Sequence, residues 1–149
     1  MSGDGNIEVP LDGDCAFCAY LSGSRPYTIF CRDNLVAILV TREQRGVSHL
    51  LVVPVRHCAT ILDLSEEESA AMMREIRHSA HVIDLADRRP GIAIWQNNGV
   101  PAHQTIGHLH FHVAGTLDAG GTDWGEVPEL PIVATDAIAD KLRCAESES

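Results

Sequence analysis

The sequence has no long run of apolar residues and no segment that resembles a secretory signal. A helix needs about 20 consecutive apolar residues to cross a bilayer, and no stretch of the 149 residues approaches that length. The first residues, Met1 to Asn6, are polar and lack the basic-then-apolar order of a signal peptide. We therefore expect a cytoplasmic protein with no membrane partner.

Basic residues are also scarce in this chain. It carries 11 Lys and Arg against 21 Asp and Glu, which gives a formal net charge of -10 at pH 7 with histidine neutral. Charge of this sign repels the phosphate backbone of a nucleic acid polymer, so we expect no such partner. A small nucleotide needs only a local pocket, and the net charge does not exclude it.

The 5 cysteines are an odd number, and two of them are spaced as Cys15-x-x-Cys18. In a cytoplasmic chain this spacing indicates metal binding or redox chemistry rather than a structural disulfide. A redox pair usually opens a helix that follows a strand. This pair follows a segment rich in Gly and Asp, which favours a metal, although two free thiols are the simpler alternative.

Apolar stretches separated by turn residues predict the strands. Asp33-Asn34 favours a tight turn between two β-branched stretches, so we expect a β-hairpin around it. A third apolar stretch ends near Pro54, and a polar segment containing glycine joins the last two. The five predicted strands are Tyr27–Cys31, Leu35–Thr41, His49–Val55, Ile92–Trp95 and His108–Val113.

One long helix is expected between the third and fourth strands. Ser65 and Glu68 have the spacing of a capping box at its start, and Pro90-Gly91 ends it. Its apolar face is predicted from residues that recur at helical spacing. These residues are Met72, Met73, Ile76, Ala80 and Ile83.

Together these elements predict an α+β domain, with a five-stranded antiparallel sheet, one long helix and a short N-terminal helical turn. We expect a single domain over residues 15–143. A flexible arm (1–14) precedes it, and a flexible tail (144–149) follows it. The exposed strand edges of such a sheet are a reason to expect a homodimer.

The segment Gly107-His108-Leu109-His110-Phe111-His112-Val113 is the most informative part of the chain. Side chains alternate along a strand, so the three histidines should share one face and the apolar residues the other. A single histidine on a strand is usually an ordinary surface or core residue. Three in a row repel one another once protonated, which indicates a metal, an anion or a chemical task.

One ion cannot easily bind both ends of this row. Residues four apart on a strand are separated by about 13 Å at about 3.3 Å per residue, whereas bonds from a metal to nitrogen are only about 2 Å long. We therefore expect one end of the row to serve a metal and the rest to meet substrate. Cys15, Cys18, His57 and His108 are the predicted ligands of a structural Zn²⁺; the alternative is that His57 is merely exposed.

Several segments, spaced along the chain in the family's order, resemble the histidine-triad (HIT) superfamily. Gln104-Thr105-Ile106-Gly107 followed by the three alternating histidines resembles its signature, and Asn97-Asn98-Gly99 resembles its upstream Asn-x-Gly segment. The segment from His49 through Pro54 to His57 also matches a family pattern. With Cys15-x-x-Cys18, the resemblance covers roughly residues 15–115 and implies a HIT-like fold that pairs into a ten-stranded dimer.

The resemblance also implies an activity. Members bind nucleoside phosphates and cleave or transfer a nucleotidyl group through a covalent nucleotidyl-histidine. His110 would be the nucleophile, His112 would contact phosphate oxygens and His49 would be an accessory histidine. Asn97, Gln104 and Thr105 match polar contacts of the phosphate and the leaving group. The expected partner is thus a nucleoside mono- or polyphosphate, and zinc-bearing members use the four ligands named above.

Two positions depart from the family pattern. Thr41 stands where many members carry the acidic residue that pairs with the ribose hydroxyls, although Glu43 is near. His103 stands where many have a small glycine; we interpret it as a solvent-facing loop residue, with a role in the pocket as the alternative. Cys31, Cys58 and Cys144 are expected to be plain thiols, and His78 and His81 ordinary surface groups. Trp124 has packing against the domain and covering of the pocket as equal alternatives.

Three hypotheses follow from these residues. The leading one is a hydrolase or transferase acting on a nucleoside phosphoramidate or a dinucleoside polyphosphate. The second is a module of the same fold that binds a nucleotide or a protein without catalysis, and the altered position at Thr41 motivates it. The third is a catalytic metal held by His49, His110 and His112.

Overall fold

The computed structural model describes residues 6–11 and 13–149, and in this part of the chain five strands form one antiparallel sheet. The strand order is β1-β2-β3-β5-β4, so the predicted α+β class and sheet are confirmed. The strands are β1 (Ile29–Arg32), β2 (Val36–Val40), β3 (Val47–Pro54), β4 (Ile92–Trp95) and β5 (Phe111–Gly115), and the α-helices are α1 (Ala16–Ser22), α2 (Glu66–Asp87) and α3 (Ile132–Ser147).

The predicted hairpin joins β1 to β2. The Asp33 carboxylate accepts hydrogen bonds from the backbone N–H of Leu35 at 2.8 Å and of Val36 at 2.9 Å. A short acidic side chain that binds the backbone two residues later is a common turn device, because it replaces the bonds that the sheet cannot supply. The turn therefore helps to set the register in which β1 pairs with β2.

The two faces of the sheet carry different layers. On one face, Ile38, Leu50 and Val113 pack in a single core with residues of α2 and α3. On the other face, Leu39 and Leu51 pack with Phe17 of the short helix α1. Since α1 covers only part of this second face, room remains there for a cavity.

Helix α2 begins as predicted but buries a narrower stripe. Ser65 and Glu68 form the expected capping box, with reciprocal bonds of 3.1 and 2.9 Å. Met72 and Ile76 are buried, whereas Met73 is 63% exposed, so its placement on the apolar face was wrong. Consecutive helical residues are about 100° apart around the axis, which turns Met73 out of the stripe.

Helix α3 was missed by the sequence analysis. Its buried residues Thr135, Ala139 and Leu142 have helical spacing, but only the last is a large apolar residue, so the pattern is weak. The helix continues to Ser147, four residues into the predicted tail, and packs on α2 and on β2. None of the described helices is long and apolar enough to cross a membrane.

Part of the predicted N-terminal arm lies along the domain. The carbonyl oxygen of Glu8 accepts a hydrogen bond of 2.7 Å from the backbone N–H of Val100, and the Ile7 side chain lies close to Gly99. Residues 1–5 and 12 of that arm lie outside the described residues. The arm therefore contacts the loop between β4 and the histidine row.

Candidate active site and metal cluster

The histidine row straddles the start of β5. The strand begins only at Phe111, so the predicted start at His108 was wrong. The reason is a change of hydrogen-bond partner: the backbone N–H of Leu109 donates to the Cys58 carbonyl at 2.7 Å, in the loop that follows β3. His108 and His110 consequently lie between that loop and the sheet, and His112 lies in the sheet.

His108 lies in a cluster with Cys15, Cys18 and His57. Their ligand atoms all lie within 4.8 Å of one another. His108 Nδ1 is 3.2 Å from Cys15 Sγ and 3.2 Å from His57 Nδ1, and Cys18 Sγ is 3.5 Å from His57 Nδ1. Two thiols and two imidazoles that converge in this way fit the four positions of tetrahedral zinc.

The surroundings of the cluster fix the tautomer of His108 and keep its imidazole neutral, which is the form that binds a metal. Its Nε2–H donates to the Pro54 carbonyl at 2.9 Å, which leaves the lone pair on Nδ1 and directs it at the cysteines. Burial, followed by the neighbouring His57, lowers the His108 pKa to about 4. Burial and the adjacent Cys15 raise the Cys18 pKa to about 11. A cation would reverse that shift, because the bound form of cysteine is the thiolate.

Cys15 has a second role at the first helix. It is the N-cap of α1, and its Sγ accepts a hydrogen bond of 3.3 Å from the backbone N–H of Cys18. The pair thus does open a helix, although the described residues before it, 6–11 and 13–14, form no strand. The short helix holds both sulphur atoms close to His108 Nδ1, at 3.2 Å for Cys15 and 3.7 Å for Cys18.

A cavity of about 680 Å³ lies beside the cluster, on the face of the sheet that α1 partly covers. His49, His110 and His112 all line it. Aromatic rings form much of the remaining wall, and apart from Trp124 no sequence pattern marked them as site residues. These are Phe17, Tyr20, Tyr27, Trp95 and Trp124. We call this space the triad cavity.

The protonation of His110 is fixed by the backbone. Its Nδ1 lies 2.8 Å from the carbonyl oxygen of His108, and since a carbonyl only accepts, Nδ1 carries the hydrogen. Burial lowers the pKa of His110, so the imidazole is neutral near pH 7. Its Nε2 is then an unprotonated nitrogen. A neutral imidazole held in this form is a competent nucleophile.

A chain of hydrogen bonds fixes the other two imidazoles. The backbone N–H of Arg45 donates to His49 Nδ1 at 3.1 Å, so the hydrogen of His49 is on Nε2. That Nε2 lies 3.0 Å from His112 Nδ1, which must therefore accept. His112 is left with a hydrogen on Nε2. It is thus a donor, while its neighbour His110 is an acceptor.

Burial keeps this pair of imidazoles neutral. Burial, and after it the charge of Arg45, lowers the His49 pKa to about 3. Burial, His110 and His49 lower the His112 pKa to about 2. The Trp95 ring stacks on His112 with centroids 4.6 Å apart and planes 4° apart, and this contact keeps water from one face of the imidazole.

The predicted substrate-binding residues divide into two groups. Asn97, Thr105 and Thr41 line the triad cavity. Gln104 is buried instead: its amide donates to the Ala59 and Ile106 carbonyls at 2.8 and 2.9 Å, and its oxygen accepts from Gly99 N–H at 2.7 Å. Both amide hydrogens are used, so a phosphate contact would require breaking a loop-holding bond.

Three further residues reach the cavity. Glu43, near the substituted Thr41, lines it and lies 3.4 Å from Arg45 Nη2. His103 also lines it, from a turn where its φ is 70°, a left-handed conformation that side chains rarely adopt. Trp124 is 74% exposed and lies against Trp95 with centroids 5.5 Å apart.

Fold and site together define an open-sheet α+β domain in which a histidine row connects a cluster of potential metal ligands to the triad cavity. The sequence matches the HIT domain family over residues 22–118, and the chain belongs to this family. Among its relatives, adenylylsulfatase HINT3 of Arabidopsis thaliana is 28% identical over 75% of this chain, a match that spans 57% of the plant protein. Adenosine 5'-monophosphoramidase hnt1 of Schizosaccharomyces pombe is 28% identical over 66% of this chain and 71% of its own length.

Solved structures share the fold. A HIT-like protein of Bartonella henselae, described as involved in cell-cycle regulation, has a TM-score of 0.82 at 22% identity and covers 93% of this chain and 99% of its own. A zinc-bound histidine triad family protein of Mycobacterium smegmatis has a TM-score of 0.75 at 23% identity and covers 91% and 98%. At these identities the likeness concerns the architecture.

The lowered pKa values of His49 and His112 predict that stability depends on pH. In the unfolded chain both titrate near 6.5, and in the folded chain both stay neutral to far lower pH. Protons therefore bind preferentially to the unfolded chain below pH 6.5. As the pH decreases below that value, the free energy of unfolding should decrease by up to about 1.4 kcal/mol per pH unit for each histidine, until the folded pKa is reached. Above that starting pH the two residues add no dependence.

Urea unfolding measured from about pH 7 to about pH 4.5 checks this slope. His49→Gln should reduce the slope of the free energy of unfolding against pH by the contribution of one titrating group, because the variant no longer titrates at that position. His81→Gln is the matched control, since His81 is an exposed residue of α2. Identical slopes in the wild type and in His49→Gln would contradict the prediction.

Proposed function

We propose that the chain is a nucleotidyl hydrolase or transferase that cleaves a nucleoside phosphoramidate or a dinucleoside polyphosphate, with His110 as the nucleophile. One observation carries this proposal. The hydrogen bond of 2.8 Å from His110 Nδ1 to the His108 carbonyl leaves an unprotonated Nε2 on a cavity wall. A donor, His112, lies beside it, with ring centroids 5.0 Å apart.

The proposed reaction has two displacements at phosphorus. His110 Nε2 attacks, a P–N bond forms, and the bond to the leaving group breaks with its electron pair, which a proton then neutralises. Water or another acceptor next attacks the nucleotidyl-imidazole and gives up a proton, which balances the one taken by the leaving group, and the P–N electron pair returns to Nε2. Splitting one difficult displacement into two easier ones is the benefit of a covalent intermediate.

The neighbouring residues would stabilise the charge that develops on the phosphoryl oxygens. His112 lies beside the nucleophile and offers a donor at Nε2–H, and His49 holds it in that form. Asn97 and Thr105 line the same cavity and can donate from an amide and a hydroxyl. Preorganised donors of this kind act without reorganisation at the moment of reaction.

The other end of the cavity would hold the nucleoside. Thr41 lines it without a carboxylate, while Glu43 lies near enough to serve as a ribose acceptor once its contact with Arg45 rearranges. The aromatic pair Tyr20 and Tyr27, stacked at 3.9 Å, offers a flat apolar surface suited to a base. The named activities of the Arabidopsis and Schizosaccharomyces relatives also support a small adenylyl substrate.

Replacing the nucleophile tests this proposal directly. His110→Ala should lower the release of AMP from adenosine phosphoramidate by about 10³-fold or more, because no other group forms the intermediate. His81→Ala, on the exposed side of α2, should keep wild-type turnover. Turnover of His110→Ala near that of the wild type would refute the assignment. Nucleotide binding with no turnover in either protein would favour the binding-module hypothesis instead.

We further propose that the cluster of Cys15, Cys18, His57 and His108 holds a structural Zn²⁺. Its two sulphur and two nitrogen donors fill a tetrahedron, and a bound ion would tie α1 to β3 and to the histidine row. The zinc-bound Mycobacterium smegmatis structure supports this choice of metal. A catalytic metal on His49 is disfavoured, since its Nδ1 lone pair already accepts from the backbone N–H of Arg45 and its Nε2–H donates to His112.

Metal analysis of purified protein checks the zinc proposal. Cys18→Ser should lose one ion per chain, because three donors bind zinc far more weakly than four. Cys144→Ser, which removes an exposed thiol of α3, should keep the wild-type content. Equal zinc in the wild type and in Cys18→Ser would argue against the cluster as the site.

We also propose a homodimer that joins β4 of two copies into a ten-stranded sheet. Strand β4 is an edge of the sheet, and its Ile94 is 50% exposed. An unpaired edge with an exposed apolar residue invites a second strand. Sedimentation should give the mass of two chains, and Ile94→Lys should shift it toward one. A single-chain mass for the wild type would refute this assembly.

A further inference from the structure

A second group of metal-binding side chains lies on the opposite face of the sheet, among β1, α2 and α3. Cys31 of β1 and Glu75 and His78 of α2 each offer one ligand atom, and these atoms all lie within 4.8 Å of one another. All three residues are half-buried. This group shares no residue with the cluster at Cys15 or with the triad cavity.

An irregularity in β1 directs Cys31 toward the helices. Ile29 pairs with Leu39 and Cys31 pairs with Ile38, so β1 advances by two residues while β2 advances by one, and β1 contains a bulge. In a regular strand, Phe30 and Cys31 would point to opposite faces. The bulge lets both pack against the core formed with α2 and α3. Bulges often serve to re-aim a side chain in this way.

A carboxylate from α3 orients the imidazole. His78 Nε2 lies 2.6 Å from a Glu146 oxygen, and His78 Nδ1 lies 3.1 Å from Glu75 Oε1. If Nε2 carries the hydrogen that Glu146 accepts, Nδ1 can direct a lone pair to the space shared with Glu75. Histidines that bind metals usually donate their other N–H to a carboxylate or carbonyl in this manner.

The nearby arginines do not bind the Glu75 oxygen that faces His78, Oε1. Arg74 contacts the other oxygen of Glu75, Oε2, at 3.1 Å and so does not occupy Oε1. Arg143 directs its guanidinium to the carbonyls of Ile29 and Phe30, each at 3.0 Å. The acidic residues Glu75 and Glu146 therefore dominate the local charge around the Cys31 thiol. Such surroundings favour a cation over a free thiolate.

We propose that Cys31, Glu75 and His78 form a second site for a divalent metal ion of the zinc type, with Glu146 as the residue that positions the imidazole. Sulphur, nitrogen and carboxylate oxygen are the three donor types that Zn²⁺ accepts. Three protein ligands leave one tetrahedral position for water. Binding would form bonds to Sγ, Oε1 and Nδ1 and release the thiol proton, together with the Nδ1 proton wherever His78 is protonated beforehand.

The alternative account needs no metal. A protonated His78 could simply bridge Glu75 and Glu146, and this ion pair alone would join α2 to α3. That account gives Cys31 no part, because a neutral thiol adds little to an ion pair. The two accounts therefore differ in how metal binding responds to substitution of Cys31.

Counting metal per chain separates them. Protein reconstituted with Zn²⁺ and then dialysed should hold two ions per chain in the wild type and one in Cys31→Ser. Cys144→Ser, which removes an exposed thiol of α3 outside the group, should still hold two. Glu146→Gln should bind the second ion about 10–100-fold more weakly, as expected for loss of an orienting carboxylate.

Cobalt gives an optical readout that does not depend on turnover. Reconstitution with Co²⁺ should give a sulphur-to-cobalt absorption band that falls in Cys31→Ser by the share of one thiolate. One ion per chain in the wild type, with identical cobalt spectra in Cys31→Ser, would overturn the proposal. So would a second ion that is lost in His112→Ala rather than in Cys31→Ser, since that ion would lie in the triad cavity.

Discussion

Hydrogen bonds to backbone groups decide what each imidazole of the histidine row can do. Carbonyl oxygens hold the hydrogen of His108 on Nε2 and that of His110 on Nδ1. A backbone N–H makes His49 a donor through Nε2, and His112 in turn an acceptor at Nδ1. Four identical side chains thus become a candidate ligand, a candidate nucleophile, a relay and a donor, because backbone groups cannot change their protonation.

The fold keeps these assignments only if the imidazoles stay uncharged. Burial lowers the pKa of His49, His108, His110 and His112, so near neutral pH no added proton reverses the donor and acceptor roles along the chain of hydrogen bonds. The same dry surroundings have a cost, since the buried rings must find all their partners within the protein. The bulge in β3 between Val47 and Leu50 helps His49 to reach its partners, because it bends the strand at this residue.

The sequence allowed the regular elements to be predicted wherever a local device was present. Asp33 marks the hairpin and Ser65 the start of α2, because each binds its own neighbouring backbone. Helix α3 has no side-chain cap and buries small residues, so nothing local marked it. Its place depends on distant partners, such as the hydrogen bond of 2.6 Å between Thr135 and Thr28.

The candidate site could be predicted in its residue types but not in its bonding. The family resemblance named His110 and the cysteines, whereas the loop-holding role of Gln104 rests on carbonyls that carry no sequence signature. Trp95 was likewise recognisable only as a strand residue, because its contact with His112 depends on how β4 pairs with β5.

The separation of Cys15 and His108 along the chain has a mechanical consequence. The two residues are 93 positions apart, yet their ligand atoms are 3.2 Å apart. A bond through an ion at this point would act as a cross-link, and closing a loop of this length removes about 4.7 kcal/mol of chain entropy from the unfolded state. The 7-residue helix α1 is too short to persist alone. Such a cross-link would make its helicity a property of the whole domain, gained and lost together with the sheet.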